Sequence, residues 1–173
     1  MLTTNDIHTY LNSLNDELGQ LGVKGELCLF GGAVMCLVYQ ARPSTKDVDA
    51  IFEPTSQIRR AAQRVAETYD LREDWLNDAV KGFVVPHQQR ILLDLTNLKV
   101  YIPEPDYLLA MKALAARVDG QDKADVIFLV RHLGIKSAED VLTIVTNYYP
   151  YQRIKPVTRY FIEELFDDYF TST

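Results

Sequence analysis

The sequence predicts an α/β (α+β) protein in which a short mixed sheet flanked by helices is followed by a helical C-terminal half. Three observations carry this prediction. Apolar runs of strand length, at Leu27–Phe30, Asp47–Phe52, Ile91–Leu95 and Lys99–Ile102, all fall in the first hundred or so residues. From Pro103 onward the apolar spacing is helical. The chain has 173 residues, 47% of them hydrophobic and 24% charged, which suits one globular domain or a small core plus a helical half and excludes a largely disordered chain. The expected division is 1–103 for the core and 104–173 for the helical half.

The elements follow in order. Thr4 is positioned to cap a helix to about Leu21, because Ile7, Tyr10, Leu11, Leu14, Leu18 and Leu21 repeat at helical spacing and Gly22 supplies a stop. Leu27–Phe30 reads as a strand, Gly31-Gly32 as a sharp turn, and Ala33–Tyr39 as a short helix. After the strand through Phe52, Thr55 or Ser56 starts a helix over Gln57–Tyr69 with Ile58, Ala61, Ala62, Val65 and Ala66 on its inner stripe. Its Arg59, Arg60 and Arg64 read as a solvated face. Trp75, Leu76, Ala79, Val80 and Phe83 have the spacing of a short helix, and Pro86–Gln89 reads as a polar turn with His87 a solvated turn residue. Ile91–Leu95 and Lys99–Ile102 form a hairpin about Thr96-Asn97.

In the second half, Pro105 and Asp106 suit the first turn of a helix through Ala115. Gln121–Asp125 opens another that stops at Leu133-Gly134, and Ser137 with Asp140 caps the next. Lys155–Phe170 is an aromatic-rich helix of the kind used for core or oligomer contact. Lys112 lies in an apolar helix, where it either snorkels to the surface or directs its ammonium at a phosphate. Cys28 and Cys36 sit among Leu and Val and read as buried thiols, so a zinc-type site is not supported.

One stretch combines features that carry chemistry. Gly31-Gly32 after a strand lets a ligand approach the backbone, and a following helix start offers free amides to a phosphate. Arg42 and Lys46 lie in the basic turn that leads to Asp47-Val48-Asp49. Side chains alternate along a strand, so Asp47 and Asp49 share a face. Their mutual repulsion is relieved by a cation between them, and hard oxygen donors suit Mg2+ or Mn2+. Either feature alone is common in turns and exposed strand ends; the combination within about thirty residues is not.

This stretch resembles the signature of the DNA polymerase β-like nucleotidyltransferase superfamily, where a Gly-Gly or Gly-Ser turn precedes a strand carrying Asp-x-Asp. The run Glu104–Lys112, with Arg117 and Asp122-Lys123-Ala124-Asp125, resembles the C-terminal motifs of the abortive-infection-type nucleotidyltransferases, the toxins of bacterial toxin–antitoxin and phage-defence pairs. The resemblance covers roughly Leu27 to Gly134. It implies a Thr-x-Asp at Thr45-Lys46-Asp47, a helical lysine at Lys112, and a helix-start acid at Asp122 or Asp125 for nucleotide binding. Asp94, enclosed by Leu93 and Leu95, is either a solvent-facing carboxylate or the third metal ligand the superfamily usually has. The implied activity is metal-dependent transfer of a nucleoside monophosphate from a nucleoside triphosphate to RNA (tRNA) or a partner protein, with Asp47, Asp49 and Lys112 catalytic and the helical half closing one side of the cleft. A cognate antitoxin or toxin is the implied partner. The alternative is a non-catalytic nucleotide-binding antitoxin or regulatory module that sequesters a partner protein.

Charge and targeting bound the partners further. A net charge of −6 makes the chain a poor general binder of nucleic acid. The first twenty residues lack the pattern of a signal peptide and no apolar run approaches about 20 residues, so no membrane contact and a cytoplasmic location are expected.

Overall fold

A computed structural model describes residues 1–116 and 120–171. The described chain forms seven helices and seven strands, and it divides into two compact units. The first comprises Met1–Val84 and Gln89–Pro103; the second comprises Val85–Gln88 and Glu104–Thr173.

The first unit opens with β1 (Leu2–Thr3) and α1 (Thr4–Gln20). The cap of α1 is Thr3, one residue before the predicted Thr4, because a reciprocal box forms with Asp6: Thr3 Oγ1 accepts from the Asp6 amide and Asp6 accepts from the Thr3 amide at 2.8 Å. These bonds hold the Asp6 carboxyl below its usual range, the Thr3 backbone bond foremost. β2 (Gly25–Phe30) runs into α2 (Gly31–Leu37), which begins on the glycine pair itself. β3 (Ser44–Thr45), β4 (Val48–Glu53) and α3 (Thr55–Tyr69) follow.

The predicted helix at Trp75–Phe83 is instead β5 (Leu76–Asn77) and a 3-10 turn at Ala79–Gly82. Trp75 decides this locally. Its buried ring donates from Nε1 to the Ala62 carbonyl of α3 at 3.0 Å, and its carbonyl accepts from the Val48 amide, which sets the following residues beside β4. The hairpin β6 (Gln89–Asp94) and β7 (Leu98–Pro103) completes the unit.

The main sheet has the order β5-β4-β2-β7-β6, with β2 antiparallel to β4 and parallel to β7. Alternation gives it two unlike faces. Leu27, Leu29, Val48, Ala50, Phe52, Val100 and Ile102 occupy one face and are buried, as are Ile7, Leu11, Leu14 and Leu18 of α1 and Ile58, Ala61 and Val65 of α3. Full burial of side chains of this size is worth roughly 1.5–3 kcal/mol each, so this layer is what fixes the strand register. The other face carries Asp49, Ile51 and Glu53 from β4, Glu26 and Cys28 from β2, and Lys99 and Tyr101 from β7.

The second unit is helical: α4 (Pro105–Ala115), α5 (Gln121–Leu133), α6 (Ala138–Tyr148) and α7 (Pro156–Tyr169). Gly134 ends α5 at φ 67, and Ser137 caps α6 by accepting from the Asp140 amide at 3.1 Å. A tyrosine cluster organises the unit. Tyr107 is fully buried, its hydroxyl lies 2.9 Å from that of Tyr149, and it accepts from the Val85 amide at 3.0 Å. His87 is not the solvated turn residue expected: its ring stacks on Tyr107 at 4.0 Å, and Nδ1 lies 2.8 Å from the Val85 carbonyl. Along α7, Phe161, Ile162, Leu165 and Phe166 are core, while Tyr160 and Tyr169 are exposed.

Candidate functional site

The glycine pair is the pivot of the first unit's site. Gly31 has φ 61, a left-handed conformation that only glycine adopts cheaply, and it follows directly on Phe30, the last residue of β2. Phe30 pairs in register with Asp49 of β4, so the aspartate stands beside the turn. A Cβ added at Gly31 would lie 2.7 Å from Asp49 Oδ2. At Gly32 a Cβ would collide with Thr45 Oγ1 and would come within 2.8–2.9 Å of the Arg42 guanidinium. Asp49, Thr45 and Arg42 therefore close on the two glycines with no room for a side chain on either.

Thr45 reaches this place through a pairing that local pattern does not reveal. Leu2 and Thr3 pair antiparallel with Thr45 and Ser44, which fastens the basic turn to the start of the chain and leaves Thr45 buried. Asp47 lies in the bend one residue before β4 and is half-buried, so Asp49 alone of the two aspartates is a strand residue. Lys46 is exposed in the same bend. Gly31, Gly32, Arg42, Thr45, Asp47 and Asp49 thus belong to one turn–bend–strand locality, with Lys46 at its rim.

Asp94 does not join them. It pairs with Lys99, which pairs with Glu26, which pairs with Glu53; that row is four residues along β2 from the Phe30–Asp49 row. At roughly 3.3 Å per residue the separation is about 13 Å, and the expectation of a third ligand at Asp94 is corrected accordingly. The residue that does stand in register with Asp49 on its other side is Asn77 of β5. Its Oδ1 accepts from the Ala79 amide at 3.2 Å, which starts the 3-10 turn. Only the two-residue strand could have signalled it, and the misleading helical spacing hid that strand.

Lys112 neither snorkels nor points at open solvent. Its ammonium lies 2.8 Å from Asp125 Oδ2 and 3.0 Å from Asp122 Oδ1, with the lysine side chain 9% and Asp125 1% exposed. The two acids suggested by resemblance as alternatives are therefore both partners of the lysine, in an ion-paired triad within the second unit. Arg117 lies outside the described residues.

Among the described residues no three or more His, Cys, Asp or Glu side chains are grouped to hold a metal ion, and no helix is long and apolar enough to cross a membrane. Asp49, beside the glycine turn, and Asp47, two residues before it, remain as hard oxygen donors. That donor set fits Mg2+, which is characteristically held by one or two carboxylates together with water and substrate phosphates rather than by an all-protein cage.

No curated protein and no solved structure matches the chain. One family model does, over residues 6–129, a range that contains the glycine turn, both aspartates and the lysine triad. On that match the chain belongs to the family described as nucleotidyltransferase of unknown function (DUF6036).

Proposed function

We propose that the chain transfers a nucleoside monophosphate from a nucleoside triphosphate to an acceptor in a reaction that depends on Mg2+ or Mn2+. The observation that supports this most is the closure of Asp49, Thr45 and Arg42 on Gly31-Gly32, which gathers a carboxylate, a hydroxyl and a guanidinium at one glycine turn. In this reading the carboxylates of Asp47 and Asp49 hold the cation, while the Thr45 hydroxyl, the Arg42 guanidinium and, from the rim, Lys46 bind triphosphate oxygens. Bound there, the cation would offset charge on the triphosphate and favour ionisation of the attacking hydroxyl.

The acceptor oxygen attacks the α-phosphorus, the bond to the β-phosphate bridging oxygen breaks, pyrophosphate leaves and the hydroxyl proton passes to solvent. The protein's share is positioning and charge stabilisation. The acceptor is RNA or a partner protein, and the setting a bacterial toxin–antitoxin or phage-defence pair; both rest on the resemblance of Glu104–Lys112 and Asp122–Asp125 to the abortive-infection-type enzymes. Incubation with each α-labelled nucleoside triphosphate, magnesium and a cell lysate tests the proposal. Label in RNA or in protein supports transfer and identifies the acceptor, whereas absence of label from both under all four nucleotides contradicts it and favours the non-catalytic nucleotide-binding module.

A further inference from the structure

The Asp49 face of the main sheet carries a groove of about 310 Å³ whose lining begins at Ile51, the next residue on that face of β4. Strand register divides this face of the sheet into rows, and the groove is lined by members of the second and third. Asn77, Asp49 and Phe30 form the first; Ile51, Cys28 and Tyr101 the second; Glu53, Glu26 and Lys99 the third. The second row is apolar, with Tyr101 half-buried and Cys28 buried beside it. Burial pushes the Cys28 thiol up to about 12, so this second row is uncharged. Asp78 and Lys81, at the 3-10 turn, and Gln89 of β6 form rims. The volume is at the low end for small-ligand sites and suits a nucleoside.

From this geometry, and resting on the proposed reading of Asp47 and Asp49, we infer that the groove seats the nucleoside of the triphosphate. With the phosphates at the first row, the sugar and base extend over Ile51, Cys28 and Tyr101, and the outer edge of the base reaches Glu26 and Glu53, about 13 Å along the strands. Tyr101 supplies a stacking surface that accepts any base. The third row adds selectivity. Ionised carboxylates only accept hydrogen bonds, so they favour adenine, cytosine or guanine, whose exocyclic amino groups donate, over uracil, whose two carbonyls flank a single N–H. Glu26 and Glu53 face each other as like charges across the β2–β4 ladder, with Lys99 in register on the far side of Glu26, and the facing pair gains from a donor placed between them.

Calorimetric titration of the full chain in Mg2+ with ATP, GTP, CTP, UTP and inorganic tripolyphosphate tests this, using wild type, Ile51→Trp, Tyr101→Ala and Glu26→Gln with melting curves as folding controls. Wild type is expected to bind at least one amino-bearing triphosphate about tenfold or more tighter than tripolyphosphate, the size of one stacked base, and UTP least. Ile51→Trp and Tyr101→Ala should shrink that margin with tripolyphosphate binding unchanged, and Glu26→Gln should narrow the gap to UTP. The inference is overturned, with the Asp47–Asp49 reading intact, if wild type binds nucleotides no better than tripolyphosphate or if both groove variants keep the full margin. Absence of tripolyphosphate binding to wild type would overturn the reading of the aspartates and the groove inference with it.

Discussion

Replacing Gly31 by alanine tests the site with one methyl group. At φ 61 the new Cβ costs on the order of 1–2 kcal/mol of backbone strain. It also lies 2.7 Å from Asp49 Oδ2, where ordinary contacts begin near 3.4 Å, so the carboxylate must retreat by about 0.7 Å. The strain predicts a fall in Tm on the order of 2–8 °C. The retreat predicts more for chemistry: displacement of a catalytic group by about 1 Å costs on the order of a hundredfold, so transfer per folded molecule should drop roughly tenfold to a hundredfold. Melting curves and label transfer from an α-labelled triphosphate, measured on the same preparation, separate the two effects. A Gly31→Ala protein that melts lower but transfers at the wild-type rate per folded molecule would refute the claim that Asp49 acts beside this turn.

Other consequences follow from the second unit and the rim of the site. Lys112→Ala removes the counter-charge of a nearly inaccessible Asp125, which should cost about 3 kcal/mol or more in denaturant unfolding, and Lys112→Met combined with Asp125→Leu should recover much of it; full stability in the single variant would refute the triad's structural weight. Burial, then the hydrogen bond to Asp106, pushes the Tyr148 phenol up to about 12, and burial raises Tyr149 too. Their neutral forms stabilise fully below the unfolded value near 10, and this contribution is lost as pH rises through about 12. Tyr148→Phe should therefore flatten the loss of stability between pH 10 and 12 in melting curves, and an unchanged slope would count against the assignment. Gly32→Ala should raise the KM for triphosphate, because Thr45 Oγ1 and the Arg42 guanidinium must move aside; an unaltered KM would remove both from triphosphate binding.

Much of this arrangement was legible in the residues because it depends on short-range pattern. Alternation in Ile91–Ile102 specifies the β6–β7 hairpin, helical spacing specifies α1 and α3, and Gly31-Gly32 followed by Asp-x-Asp locates the turn that Asp49 closes. What was hidden depends on partners distant along the chain. Trp75 to Phe83 mimics a helix until Trp75 docks on Ala62, and Asp94 looks like a ligand until four-strand register puts it beside Lys99. Thr45 gains its position from Leu2 and Thr3, forty-odd residues earlier. Lys112 was ambiguous because its partners, Asp122 and Asp125, lie on the next helix, where helical spacing within α4 carries no information about them.

Asp49 beside the glycine pair and Asp47 two residues before it are tested most directly by label transfer from α-labelled triphosphate by wild type, Asp47→Asn and Asp49→Asn, with magnesium and with a chelator. Transfer by wild type that the chelator abolishes, and that falls by about a hundredfold or more in either variant while melting curves stay within a few degrees, is the predicted result. Transfer that persists in both variants, or in the chelator, would contradict it.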